Sequence, residues 1–147
     1  MNETTDRRSW LGLLAKAPEE ALDACWTDLG ESPEFSWLRT PEIGGVMVRG
    51  RAGATGAPFN LGEMTVTRCA LRLGDGTVGH GYVQGRSTRK AERAALCDAL
   101  LQGPKAGAVR AHVLKPLAEQ AEIARQARAA RAAATKVDFF TMVRGED

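Results

Sequence analysis

Leu61-Gly62-Glu63-Met64-Thr65-Val66-Thr67-Arg68-Cys69-Ala70-Leu71-Arg72-Leu73-Gly74-Asp75-Gly76-Thr77-Val78-Gly79-His80-Gly81-Tyr82-Val83-Gln84 decides the fold. Two runs rich in β-branched and aliphatic residues flank Gly74-Asp75-Gly76-Thr77, and an Asp-Gly pair between such runs marks a hairpin. With Asp75-Gly76 as the centre of a type I′ turn, Leu73 faces Val78, Leu71 faces His80 and Cys69 faces Tyr82, which puts His80 on an apolar face. Before Thr67 the apolar positions are even (Met64, Val66), and after it they are odd (Cys69, Leu71, Leu73). One flat strand cannot bury both sets on one face, so a bulge or sharp twist is expected near Thr67 and Arg68.

Downstream, Ser87 or Thr88 caps a helix in which Ala91, Ala94, Cys97 and Leu101 align, flanked by Leu96 and Leu100, and which stops near Gly103-Pro104. From Pro116 to about Lys136 an alanine-rich, arginine-studded helix follows, with high propensity but little apolar area. Upstream, Phe35–Leu38 and Gly45–Arg49 are expected as two strands separated by Pro41, and Gly50–Pro58 is too glycine-rich for a regular element. Trp10, Leu13 and Leu14 fall at helical spacing. Pro18-Glu19-Glu20 then opens a second helix with stripe Ala21, Leu22, Cys25, Trp26 and Leu29, ending at Gly30. The expected class is α/β in the α+β sense: N-terminal helices, a small mostly antiparallel sheet with a central hairpin, a helix after it, and a long Ala/Arg-rich C-terminal helix with an apolar tail. Residues 1–147 are expected to form one domain, with 116–147 as a helical arm and tail.

The 147 residues carry 20 Lys and Arg against 18 Asp and Glu, a balance that argues against a protein whose main work is coating phosphates. No run approaches the roughly 18 apolar residues of a membrane span. Cys25, Cys69 and Cys97 are odd in number and lack C-x-x-C spacing, so neither a disulfide framework nor a metal nest is indicated, and a reducing cytoplasm fits. Arg7-Arg8 followed by a short apolar run imitates a twin-arginine signal, but the run contains Gly12 and ends at Lys16, as suits an amphipathic helix.

Gly74-Asp75-Gly76-Thr77-Val78-Gly79 matches G-x-G-x-x-G literally, yet a strand follows it where a dinucleotide site requires a helix. His80 and His112 lack ligand spacing, and no serine lies in a G-x-S-x-G elbow. The richest polar set is Glu63, Arg68, Arg72, His80 and Arg86, gathered if the hairpin forms as read. Arg68 and Arg86 would grip a phosphorylated ligand, with Glu63 orienting them; sheet-surface ion pairs or subunit contacts are the competing reading. Arg125, Arg128 and Arg131 form a drifting basic stripe. It offers nucleic acid a surface, but Glu119 and Glu122 precede it and no aromatic interleaves it, which favours a solvated face or subunit contact over a nucleic-acid-binding module. Phe139, Phe140 and Met142, with Arg144 beside them, either dock on another chain or return to the sheet as a strand.

The run Gly53-Ala54-Thr55-Gly56-Ala57-Pro58-Phe59-Asn60-Leu61-Gly62-Glu63-Met64-Thr65-Val66-Thr67-Arg68-Cys69 resembles the signature region of the PhnG family, subunits of the bacterial carbon-phosphorus lyase system. Three further blocks agree in order: Arg8-Ser9-Trp10 with Leu14-Ala15; Gly85-Arg86 followed by Ala91-Glu92 and Asp98-Ala99-Leu100-Leu101-Gln102; and Val137-Asp138-Phe139-Phe140-Thr141-Met142-Val143-Arg144-Gly145. Lys90 stands where the family pattern has a His before the Ala-Glu pair. The resemblance implies an accessory subunit of a cytoplasmic hetero-oligomer that acts with PhnH, PhnI and PhnL. Together they displace adenine from ATP by a phosphonate, as an alpha-D-ribose 1-methylphosphonate 5-triphosphate synthase. The S-adenosylmethionine and iron-sulfur chemistry belongs to a further partner, PhnJ, so this chain is expected to bind no cofactor itself. The resemblance carries no catalytic residue onto this chain.

Overall fold

The computed structural model describes residues 6–51 and 56–145, with side chains as far as Lys136. Asp6 starts the first helix, α1 (Arg7–Lys16), because its carboxylate accepts the Ser9 N–H at 2.7 Å. The second, α2 (Glu19–Leu29), has Glu19 and Glu20 in its first turn and ends where Gly30 adopts a left-handed φ of 72°. Strands β1 (Phe35–Arg51), β2 (Pro58–Leu73) and β3 (Val78–Gln84) form an antiparallel sheet in the order β1-β2-β3. Helix α3 (Thr88–Leu101) is capped by Ser87, whose hydroxyl accepts the Lys90 N–H. A short α4 (Ala106–Val109) and one π-helical turn (Arg110–Leu114) lead into α5 (Lys115–Gly145).

The hairpin is correct, but its turn is not type I′. That turn needs positive φ at Asp75, and among the described residues only glycines have it. Instead the Gly76 N–H donates to Leu73 O, Gly76 sits at φ 93°, and the Leu73 N–H closes the loop on Thr77 O. This is a three-residue loop, a type I turn followed by a glycine bulge. The added residue shifts the register by one, so that Arg72 faces Val78, Leu71 faces Gly79 and Ala70 faces His80. A one-residue slip exchanges the faces. His80 is therefore exposed, contrary to the expected apolar placement.

Three other expectations change. Pro41 does not separate two strands: β1 runs through it, and register shifts between Trp37 and Arg39 and between Arg39 and Glu42 accommodate a residue with no N–H to give the ladder. These irregularities lie in β1, across from the expected site at Thr67 and Arg68, while β2 stays in register with β3 there. Thr67, Cys69 and Leu71 face the helices, and Val66 is buried on the opposite face. The glycine-rich expectation over Gly50–Pro58 also contracts: Gly50 and Arg51 pair with Phe59 and Pro58, and 52–55 lie outside the described residues.

Helix α3 is the centre of the packing. One side meets β3, where a Cβ on Gly79 would strike Ala95 O and one on Gly81 would strike Ala91 O. Only glycine lets the helix approach this closely. The other sides carry α1, α2 and α4, and the π-turn packs in turn on α2 and α1; Leu14, Leu22, Val109, Val113, Leu114 and Leu117 share this one core. Beyond Ala118 the described side chains of α5 are exposed as far as Lys136, as its lack of an apolar stripe predicts. The tail side chains Phe139, Phe140, Met142 and Arg144 lie outside the described residues, but their backbone continues α5 and is not a strand of the sheet.

Candidate functional site

The polar set Glu63, Arg68, His80 and Arg86 does not assemble. Residues 63 and 68 are separated by unbroken strand alternation, so they project from opposite faces of β2. Glu63 lies across Gly45, where any Cβ would meet its carboxylate. Arg68 stands on the outer face beside Tyr82, its cross-strand partner, and the next pair on that face is Ala70 and His80. There Arg68 and Arg39 each approach Glu42 at 3.7 Å, all three side chains about half exposed. Such pairs contribute little stability and no obvious chemistry. Arg86 sits elsewhere, in the cleft between the α1–α2 junction and the start of α3.

The buried polar chemistry lies on α3, at two residues to which the sequence reading assigned no role. Asp98 is fully buried, yet all its acceptor capacity is used. Arg7 donates through Nε at 3.1 Å and Nη2 at 2.8 Å, Trp10 Nε1 at 2.9 Å and the His80 backbone N–H at 2.8 Å. One carboxylate thus ties α1, α3 and β3 together. The Asp98 bond holds the Arg7 pKa above its usual value. Gln102 continues the seam by donating to Val78 O and Asp98 O. The available signal was a single acid inside the apolar run Ala94–Leu101.

Lys90 is the second residue. It is 6% exposed and has no carboxylate within ion-pair distance among the described residues. Its ammonium donates to Ala15 O at 3.0 Å and Gln84 O at 3.4 Å. Ala15 O is one of the carbonyls that α1 leaves unpaired at its C-terminus, so the lysine caps that helix from outside. Burial lowers its pKa, and Glu19 partly opposes that shift.

No nucleophile emerges from the thiols. Burial pushes Cys69 up to about 11 and Cys97 up to about 12, and raises Cys25 as well; none carries the thiolate that nucleophilic attack requires at neutral pH. Among the described residues, no group of three His, Cys, Asp or Glu side chains could hold a metal ion. Likewise no helix there is long and apolar enough to cross a membrane. Arg125 is paired to Glu122 at 2.7 Å, and the stripe Arg125, Arg128 and Arg131 lies on an exposed face.

Two features instead present surface. Beyond Val66, β1 and β2 continue as a two-stranded ribbon without β3. A register shift at Leu61 turns the strand so that Leu61 covers Gly50, the partner of Phe59. Phe59 and Leu61 thereby join Val46, Val48, Met64 and Val66 on one apolar face, with Phe59 45% and Leu61 62% exposed. The second feature is the exposed length of α5.

The whole-chain comparisons agree with the resemblance carried by the motifs. The family described as "Phosphonate metabolism protein PhnG" matches residues 5–145. A protein of Rhizobium meliloti (strain 1021), named alpha-D-ribose 1-methylphosphonate 5-triphosphate synthase subunit PhnG, is 44% identical over 141 residues, covering 96% of this chain and 90% of that protein. The match spans both N-terminal helices, the sheet, α3 and α5, and the chain belongs to the PhnG family of phosphonate metabolism proteins.

Proposed function

We propose that this chain is the PhnG subunit of an alpha-D-ribose 1-methylphosphonate 5-triphosphate synthase, a cytoplasmic multi-subunit transferase of phosphonate catabolism. The observation that carries the reading is the 44% identity to the Rhizobium meliloti subunit across nearly the full length of both chains. In that role the chain works with PhnH, PhnI and PhnL to transfer the ribose triphosphate moiety of ATP to an alkylphosphonate with release of adenine. It also shares an assembly with PhnJ. It binds no metal or organic cofactor of its own and contributes binding and assembly instead of the attacking group.

The described side chains support that division. The buried thiols are held protonated, and the fully buried carboxylate is saturated by four donors. The surfaces support a subunit in turn. A two-stranded ribbon is marginal in water, and the apolar face with Phe59 and Leu61 extends beyond the third strand. Phe139, Phe140 and Met142, at the far end of an arm whose described side chains past Ala118 are solvent-exposed, suit a docking segment with Arg144 beside them. The test is co-purification at native expression. The tagged chain should bring down the other synthase subunits in fixed proportion, and recovery of the chain alone, or with nucleic acid in their place, would contradict the reading.

A further inference from the structure

The cleft that holds Arg86 has an unbalanced lining. Lys16, Arg86, Arg89 and Lys90 surround about 760 Å³ between the α1–α2 junction and the first turn of α3, with Glu19 as the one carboxylate. Glu19 is already engaged, accepting a hydrogen bond from the Ser87 hydroxyl at 2.6 Å. Lys16 and Arg86 have no ion pair or hydrogen bond among the described residues, and Arg89 reaches Asp23 only at 3.9 Å. Lys90 forms the floor, buried and held by two carbonyls, with no countercharge within ion-pair distance among the described residues. A buried ammonium is costly without an opposite charge, and an anion above it would supply one. The open side carries Arg86, whose guanidinium forks onto phosphoryl oxygens, and Lys16, which acts as a point charge. Ser87 accepts the Lys90 N–H through its hydroxyl and the Ala91 N–H through its carbonyl, so the first-turn amides of Thr88 and Arg89 add to the same field.

We propose that this cleft binds a tetrahedral phosphorus oxyanion, with Arg86 and Lys16 as its direct ligands and Lys90 as the buried countercharge. The proposal rests on the reading of the chain as a synthase subunit only for the source of that anion, which is either the triphosphate chain of the nucleotide or the phosphonate. Four cations against one engaged carboxylate favour the more highly charged triphosphate.

The experiment is calorimetric titration of the full-length chain at low ionic strength with three probes: inorganic tripolyphosphate, ATP and methylphosphonate. Tripolyphosphate and ATP should bind with similar affinity, and methylphosphonate at least about tenfold more weakly. Arg86→Ala and Lys16→Ala should each weaken tripolyphosphate binding by about tenfold. Glu19→Gln, which keeps an acceptor for Ser87, should tighten it about threefold, and Arg68→Ala, on the outer face of the sheet, should leave it unchanged. Tighter binding of methylphosphonate would support the site and reassign its source. Absence of binding by all three probes, or equal weakening by Arg68→Ala and Arg86→Ala, would overturn the site. A chain that fails to bind but still co-purifies with the other subunits loses the cleft and keeps the subunit role. A chain that binds but enters no assembly does the reverse.

Discussion

Replacing Asp98 with Asn should be among the most damaging conservative changes in this chain. Asn keeps the volume and one acceptor oxygen, which can still serve Arg7 Nε and Trp10 Nε1. Its amide nitrogen then faces Arg7 Nη2 and the His80 N–H, two donors that the carboxylate met at 2.8 Å each. Hydrogen bonds to a charged group contribute about 1.5–3 kcal/mol each, so losing two amounts to about 4 kcal/mol, with donors left facing donors. For a chain of this length that corresponds to a fall in Tm of about 12 °C. Arg7→Ala removes the partner instead; because the Arg7 side chain is 45% exposed, solvent screens the pair and the cost should be nearer about 1–2 kcal/mol. Thermal and urea unfolding followed by circular dichroism at neutral pH would measure both. If Asp98→Asn melts within 3 °C of the unmodified protein, roughly what 1 kcal/mol would produce, or Arg7→Ala costs as much as Asp98→Asn, the seam joining α1, α3 and β3 is not the constraint described.

Gly81→Ala should lose about 2–3 kcal/mol because its Cβ meets the Ala91 carbonyl on a packed helix. Gly12→Ala, on an exposed helical position with nothing within 4 Å, should gain about 0.5–1 kcal/mol; urea midpoints of the two variants check the contrast. Lys90 has a folded-state pKa below its usual 10.5, so between that lowered value and 10.5 the unfolded chain binds the extra proton. Its contribution to stability therefore rises with pH across that window. The difference between the unmodified protein and Lys90→Met, followed from pH 8 to 10.5, should show this rise, and a flat or falling difference would contradict it. Deleting residues 138–147 should lower the Tm of the isolated chain by only a few degrees while abolishing co-purification with partner subunits. Unfolding or aggregation of the truncated chain would place the tail in the fold's own core, and normal assembly would remove its docking role.

The helices were legible because their signals are local. Pro18 with two glutamates, Gly30, Ser87 and Gly103-Pro104 sit where the chain starts and stops its helices. The hairpin was legible for the same reason, but its register was not. Asp-Gly is compatible with both a two-residue and a three-residue loop, and the choice moved His80 from the apolar face to the exposed one. The expected polar cluster dispersed for a separate reason: β2 carries no bulge at Thr67 and Arg68, so Glu63 and Arg68 stay on opposite faces of the strand, and Arg86 lies in the cleft at the start of α3. Asp98 and Lys90 depend on contacts between residues far apart in sequence, as Lys90 to Ala15 shows; periodicity carries no information about such pairs. Gly79 and Gly81 read as an ordinary weak strand until the helix that presses on them is in place.

The subunit role is tested most directly by adenine release from ATP in the presence of methylphosphonate, with purified PhnH, PhnI and PhnL and with or without this chain. The account predicts that adenine appears only when all four proteins are present and that this chain alone releases none. Equal release in its absence, or turnover by the single chain, would contradict it.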